Sequence, residues 1–205
     1  MKSNSFKCTQ LQIGRDGMAC ADAIDLELLA GALLVVQGAN GAGKSTLLKT
    51  LAGLLPAIAG SYVHDCDAPA LLYIGHRHGM LGEVSVAENV AFWARSYGVP
   101  ELAATALHYF DLGPYVDMPL CELSAGWQQR VSLTRLITIP ANLWLLDEPA
   151  ANLDRDGANL LQSLLQTRLE QGGIALLTSH ASWGGEKVQT LTLTNENQFI
   201  EEISS

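Results

Sequence analysis

Residues 38–46 read Gly38-Ala39-Asn40-Gly41-Ala42-Gly43-Lys44-Ser45-Thr46. The glycines leave the backbone bare, so its N–H groups can close around a small anion. Lys44 adds a full positive charge, and Ser45 and Thr46 add hydroxyls. The spacing G-x-x-x-x-G-K-[ST] predicts a phosphate-binding loop where a strand precedes it and a helix follows. Leu33-Leu34-Val35-Val36 is the short apolar run of a buried strand. Leu47, Leu48, Leu51 and Leu55 then recur at helical spacing up to Pro56. The helix N-terminus and its unpaired N–H groups, from Asn40 to Thr46, favour a phosphate. Lys44 is expected to reach the β- and γ-phosphates of a nucleoside triphosphate, and the Ser45 hydroxyl to take a place on Mg²⁺. A chance glycine-rich turn is the bland alternative, and the flanking elements disfavour it.

A second stretch supplies acid. Leu143-Trp144-Leu145-Leu146-Asp147-Glu148-Pro149 reads as a buried strand ending in two carboxylates. Asp147 is placed to hold Mg²⁺ through water, and Glu148 to orient and deprotonate an attacking water. Solvated acids at a strand end would explain the pair equally well in isolation. Joined to the loop at 38–46, the pair predicts triphosphate hydrolysis.

These groups must be positioned by an α/β scaffold. Residues 6–37 read as short strands broken at 14–17 and 30–31, and 70–74 as another. Residues 84–135 read as mainly helical: Ser85 and Glu88 have capping-box spacing, and 124–138 forms one helix ending before Pro140. A helix over 156–171, a strand over 174–178 and a strand-like end complete the pattern. The expected organisation is a single domain over 1–205, with a core from about 1–75 and 141–205 and a helical subdomain over about 76–140.

Composition sets limits on function. The 205 residues are 48% apolar and 16% charged, enough for a substantial core. A net charge of −9 argues against a nucleic-acid partner. The first fifteen residues lack the apolar run of a secretory signal, and the most apolar stretch, 28–43, is too glycine-rich to cross a bilayer. Any membrane role is expected to be peripheral. Cys8, Cys20, Cys66 and Cys121 show no C-x-x-C spacing and read as reduced thiols. His64, Asp65, Cys66 and Asp67, and His76 with His78, could hold a metal, but ordinary loop or strand histidines explain them better, since no second ligand pair stands at a familiar spacing.

Leu123-Ser124-Ala125-Gly126-Trp127-Gln128-Gln129-Arg130 resembles the L-S-G-G-Q signature of ATP-binding cassette (ABC) ATPases. Ala151-Asn152-Leu153-Asp154 resembles their D-loop, and His180 stands where that family has its switch histidine. The ordered motifs span residues 38–180. The resemblance implies an α/β P-loop NTPase fold of the ABC type, with a small N-terminal antiparallel β region and an inserted helical signature subdomain. It implies ATP with Mg²⁺, hydrolysis by Glu148 with His180, and a head-to-tail dimer. In that dimer Ser124, Ala125, Gly126 and Trp127 contact the γ-phosphate held by the other copy, with Asn152, Leu153 and Asp154 at the seam. Ala125, Trp127 and Ala151 depart from the usual motif residues and bear on turnover more than on ATP binding. Arg15 stands where the family stacks an aromatic residue on adenine, and a guanidinium can do the same; an exposed turn residue is the alternative. His76 stands where the family has Gln. Neutral imidazole is a poor ligand for so hard a cation, so His76 is expected to act through water or as a coupling contact.

Within the family, residues 73–93 and 123–136 resemble the ATP-binding subunits of cytochrome c maturation (haem exporter) systems. That resemblance implies a CcmB-like membrane subunit, CcmC-, CcmD- and CcmE-like haem-handling proteins, and a place at the cytoplasmic face of the inner membrane. Another small ABC exporter or importer is the main alternative. A soluble cassette acting on ribosomes or DNA fits less well, as does a nucleotide kinase.

Overall fold

The computed structural model describes residues 4–15, 18–66, 71–75, 79–179, 183, 187–194 and 199–202. In chain order the elements are β1 (Ser5–Gln12), β2 (Gly14–Arg15), β3 (Met18–Ala19), β4 (Ile24–Leu29), β5 (Leu33–Gly38) and α1 (Lys44–Leu51). Then come β6 (Ala59–Asp65), β7 (Leu71–Ile74), α2 (Val86–Ser96), α3 (Leu102–Tyr109), α4 (Ala125–Leu133) and α5 (Arg135–Thr138). The chain ends with β8 (Leu143–Asp147), α6 (Arg155–Glu170), β9 (Ile174–Thr178), β10 (Val188–Leu193) and β11 (Phe199–Glu202).

The main sheet runs β11-β10-β5-β9-β8-β7. Its strands from β10 to β7 are parallel, and β11 pairs antiparallel with β10. The central parallel strands β5, β9 and β8 are buried on both faces over their apolar runs, which is why those runs read as unbroken. Leu33, Val35, Trp144, Leu146, Ala175 and Leu177 join one core with the helices. Leu34, Val36, Leu143, Leu145, Ile174 and Leu176 join a second core with α1 and the antiparallel sheet. That smaller sheet, β4-β1-β6, has one wet face. In β4, Ile24, Leu26 and Leu28 are buried, and Asp25, Glu27 and Leu29 between them are exposed. The fold is therefore the α/β arrangement expected, with its antiparallel β region near the N-terminus. Among the described residues, no helix is long and apolar enough to cross a membrane.

Two helix boundaries differ from expectation. α1 stops at Leu51 instead of running toward Pro56, because Gly53 takes φ +71 and turns the chain first. The helix predicted over 124–138 divides at Thr134, where α4 ends and α5 begins. The Thr134 hydroxyl donates to the Val131 carbonyl at 2.6 Å, a local bond that competes with the helix ladder.

Other local signals hold. Ser85 and Glu88 form the capping box that starts α2. One turn on, buried Asn89 fastens the preceding loop: its Oδ1 accepts from Leu81 N–H at 2.9 Å, and its Nδ2 faces the carbonyls of Leu81, Val84 and Ser85 at 2.9–3.1 Å. At the other end of the fold β5 and β10 pair through Leu193 and Gly38, and the backbone approach is close. A Cβ on Gly38, at φ +144, would lie 2.5 Å from the Leu193 carbonyl oxygen.

Gly38→Ala should destabilise the protein by about 1–3 kcal/mol, the range for backbone strain held by its surroundings. Asn89→Ala should cost about 1–3 kcal/mol through unpaired loop groups. Urea midpoints at unchanged slope would check both; an unshifted midpoint contradicts the corresponding contact.

Candidate nucleotide site

The parallel register gathers the chemistry at one edge. Val36 pairs with Thr178, and Thr178 with Asp147, so β5, β9 and β8 finish side by side. Beyond that edge lies a cleft of about 860 Å³, lined by Met18, Ala19, Cys20, residues of the 40–49 segment, Asp147 and Glu148.

The loop delivers an uncapped helix end to this cleft. Gly41 and Gly43 have φ +85 and +97, a region that glycine enters at little cost. Gly43 is the N-cap of α1 and makes no side-chain capping bond. The first N–H groups of α1 have no partners within the helix, and they open onto the cleft. Gly43 also carries a packing demand, since a Cβ there would lie 2.9 Å from the Cys20 sulfur. Lys44 is 7% exposed, and its Nζ donates to the carbonyls of Gly38 at 2.7 Å and Ala39 at 3.1 Å. An ammonium has three donors, so a third remains for an anion in the cleft.

The acids are held from β9. The Thr178 hydroxyl donates to Asp147 Oδ1 at 2.8 Å and accepts from the Glu148 N–H at 2.7 Å. Asp147 is 6% exposed. Glu148 has φ +50, an uncommon conformation for a residue with a side chain and typical of strained functional sites. Nearby Tyr73 is pushed up to about 12, first by burial and then by the charge of Asp147. The Ser45 hydroxyl and Asp147 carboxylate line the same cleft, and they are the hard oxygen donors that a magnesium ion takes.

The signature segment is elsewhere. Ser124 caps α4, its hydroxyl 3.5 Å from the Trp127 N–H. None of residues 124–127 or 152–154 lines the cleft. Instead α4 is bolted to the segment after Glu148. Gln129 Nε2 donates to the Pro149 carbonyl at 2.8 Å. A Cβ on Gly126 would lie 2.6 Å from the Asn152 carbonyl oxygen, so only glycine permits that approach. Arg130, 4% exposed, holds Asp154 at 2.6 Å and Asp111 at 3.3 Å. Asp154 in turn accepts from the Gly157 N–H and caps α6, and Arg130 holds its carboxyl below the usual range. Trp127 packs against Tyr115 with its ring tilted by 48°, at 4.4 Å between centroids, and the Arg130 guanidinium lies 4.6 Å from its ring centroid. The indole thus packs within the subunit and is only partly exposed.

The structure brings Asn40, Gly41, Gly43, Lys44, Ser45, Thr46, Asp147 and Glu148 together. Gly38, Ala39 and Ala42 belong to the same loop, with Ala42 N–H donating to the Ala39 carbonyl at 3.1 Å. The backbone of Arg15 lies in β2, and its side chain is outside the described residues, as are His76 and His180. Thr178, Gln129 and Arg130 were not expected from the sequence. Thr178 alone left a trace there, a polar residue ending the apolar run 174–177. None of the four cysteines is in a disulfide, and among the described residues no cluster of His, Cys, Asp or Glu could hold a metal.

Comparison with known proteins agrees with this geometry. The ABC transporter family model matches residues 21–151. The chain is 38% identical to the cytochrome c biogenesis ATP-binding export protein CcmA of Cereibacter sphaeroides, over 90% of this chain and 87% of that one. It is 37% identical to CcmA of Paracoccus denitrificans, over 93% and 89%. In fold it resembles a dimeric ATP-binding cassette in a post-hydrolysis state bound to ADP and Pi, with TM-score 0.81 and 19% identity over 98% and 99%. It also resembles the ATP-binding subunit of an ABC transporter, with TM-score 0.81 and 21% identity over 95% and 89%. The chain belongs to the ABC transporter family, as an ATP-hydrolysing subunit.

Proposed function

We propose that this chain drives a membrane export complex serving cytochrome c biogenesis, in the position that CcmA holds in the relatives above. The observation that carries the reading is the 37–38% identity to two such proteins over nine-tenths of the chain. The chain would act at the cytoplasmic face of the inner membrane, peripherally, on a CcmB-like membrane subunit with CcmC-, CcmD- and CcmE-like proteins. Its work would be to help release the haem-loaded chaperone. On this reading residues 1–205 form one ATPase unit, with 76–140 as its helical subdomain.

The proposed division of labour follows the cleft. N–H groups from Asn40 to Thr46 cradle the phosphates, and the third Lys44 donor reaches the β,γ oxygens. Ser45 and Asp147 hold Mg²⁺, which supplies charge neutralisation on the phosphates when bound. Glu148 accepts the proton of the attacking water, with its backbone fixed by Thr178. Ser124 and its neighbours face outward from this chain's own cleft, so they serve the nucleotide of a second copy. His180 and His76 complete the site as switch and coupling residues, and Arg15 stacks on adenine.

Lys44→Ala should weaken ATP affinity by about 10- to 150-fold, as for loss of a hydrogen bond to a charged group. Wild-type affinity in a titration would remove the loop assignment. Glu148→Gln should retain ATP binding, lower kcat by about 10²- to 10⁴-fold, and accumulate an ATP-bound dimer on gel filtration. Normal turnover would move the base elsewhere. In the cell, deleting the gene should abolish covalent haem staining of c-type cytochromes, with restoration by the wild-type gene and not by Lys44→Ala. Unchanged staining after deletion would sink the cytochrome c reading and leave the ATPase assignments standing.

A further inference from the structure

Tyr73 carries a buried hydroxyl with no bond to make. It sits in β7, and its ring packs against the core that includes Leu145 on the neighbouring strand. The phenol oxygen is shut off from solvent and has no hydrogen-bond partner among the described residues. Burial, and after it the charge of Asp147, pushes the phenol up to about 12, so it remains a donor at neutral pH. A buried donor without an acceptor makes a fold less stable than a plain phenyl ring in the same place would.

Strand register points to the acceptor. Tyr73 pairs with Leu145 and Ile74 with Leu146, so Gly75 stands beside Asp147. Side chains alternate along a strand, so positions 73, 75, 145 and 147 share one face, the face that meets α1 and the phosphate loop. The Tyr73 ring leans along its strand over Gly75. A Cβ on Gly75 would lie 2.5 Å from the phenol oxygen and 2.8 Å from Cε1 and Cζ. The hydroxyl therefore occupies the space that a side chain at 75 would fill. Neighbouring strands are about 4.8 Å apart, so that space adjoins the Cβ of Asp147.

Asp147 has room for the bond. The Thr178 hydroxyl holds Oδ1 at 2.8 Å, and Oδ2 accepts no hydrogen bond among the described residues. A carboxylate carries about four lone-pair sites, so one donor on each oxygen still leaves sites for a metal or its water ligands. Tyr73 does not line the cleft, whereas Asp147 does. The phenol stands behind the carboxylate, and any effect it has on the cleft passes through Asp147.

We propose that Tyr73 is a positioning residue for Asp147: when Mg²⁺ and ATP fill the cleft, its hydroxyl donates to Oδ2, and Thr178 and Tyr73 together fix both oxygens of the carboxylate. The inference rests on the assignment of Ser45 and Asp147 to Mg²⁺ made above. Rotation of the two side chains suffices to make the bond, and the orphaned donor gains an acceptor in the same step. Gly75 permits it, because a methyl group there would push the ring tip away. Hydrogen bonds to a metal-ligating carboxylate set its orientation, and losing one weakens metal binding by about 10- to 100-fold. A bond that forms only in the loaded site has a distinctive signature: its loss weakens metal binding and does not weaken the empty fold.

The test reads metal binding instead of turnover. The probe is Mn²⁺, which takes the same oxygen ligands as Mg²⁺ and whose free ion is counted by its EPR signal. Its affinity is measured for the complex of the full chain with AMP-PNP, an ATP analogue that is not cleaved. Tyr73→Phe removes one oxygen and keeps the ring. It should weaken Mn²⁺ binding by about 10-fold and leave AMP-PNP affinity in EDTA within about twofold. The urea midpoint of the empty protein should stay level or rise. Gly75→Ala should reproduce the weaker Mn²⁺ binding. Asp147→Asn should weaken it at least as far, and adding Tyr73→Phe to Asp147→Asn should weaken it no further. Unchanged Mn²⁺ affinity in Tyr73→Phe would overturn the inference, as would an additive loss on top of Asp147→Asn. A lowered urea midpoint in Tyr73→Phe would overturn it by showing that the hydroxyl is already bonded in the empty protein. Equal losses with Mn²⁺ and in EDTA would overturn it in favour of a direct contact with the nucleotide. If the wild-type complex holds Mn²⁺ no better than free AMP-PNP, or Asp147→Asn holds it as well as wild type, the metal assignment falls, and this inference with it.

Discussion

Thr178 pairs with Val36 on one side and with Asp147 on the other, so three parallel strands reach the same level of the sheet before the chain turns away. The phosphate loop leaves from one of these ends, the two acids from another, and the hydroxyl that fixes them stands between. A slip of one residue between β8 and β9 would remove Asp147 from Thr178 and turn Trp144 into the opposite core. The two-sided burial of these strands makes such a slip costly. The arrangement of the candidate site is thus secured by hydrophobic registration over five-residue strands, and local polar contacts only refine it.

A second rigid unit lies on the far side of the acids. Gln129 grips the Pro149 carbonyl, Gly126 touches the Asn152 carbonyl, and Arg130 holds the cap of α6. α4 is therefore tied to the 149–154 segment, which begins one residue after Glu148. Strain at Glu148 and Asn152, both at positive φ, brackets this segment. The geometry ties α4 to the segment that follows Glu148 within a single chain, before any second copy is considered.

Much of this was legible in the residues. The loop at 38–46 announced itself because its chemistry is local: glycines, lysine and hydroxyls are consecutive. The same holds for the Ser85–Glu88 cap and the apolar runs of β5, β8 and β9. What escaped notice depends on partners far apart in sequence. Arg130 finds Asp154 only after α4 and α6 pack together, and Gln129 finds a backbone carbonyl that carries no sequence signal. The break at Thr134 escaped because a threonine hydroxyl that bonds backward looks, in a string of letters, like any polar helix residue. Trp127 looked like a departure from a motif, and it serves as the floor on which the Arg130 guanidinium rests.

The outward placement of residues 124–127, away from their own chain's cleft, has a genetic consequence. If each nucleotide is closed by the loop of one copy and the signature of another, damage to the two halves is separable. A chain lacking Lys44 still lends its signature, and a chain lacking Ser124 still lends its loop. Mixed together, two inactive alleles rebuild one intact interface per pair, while two copies of either allele rebuild none.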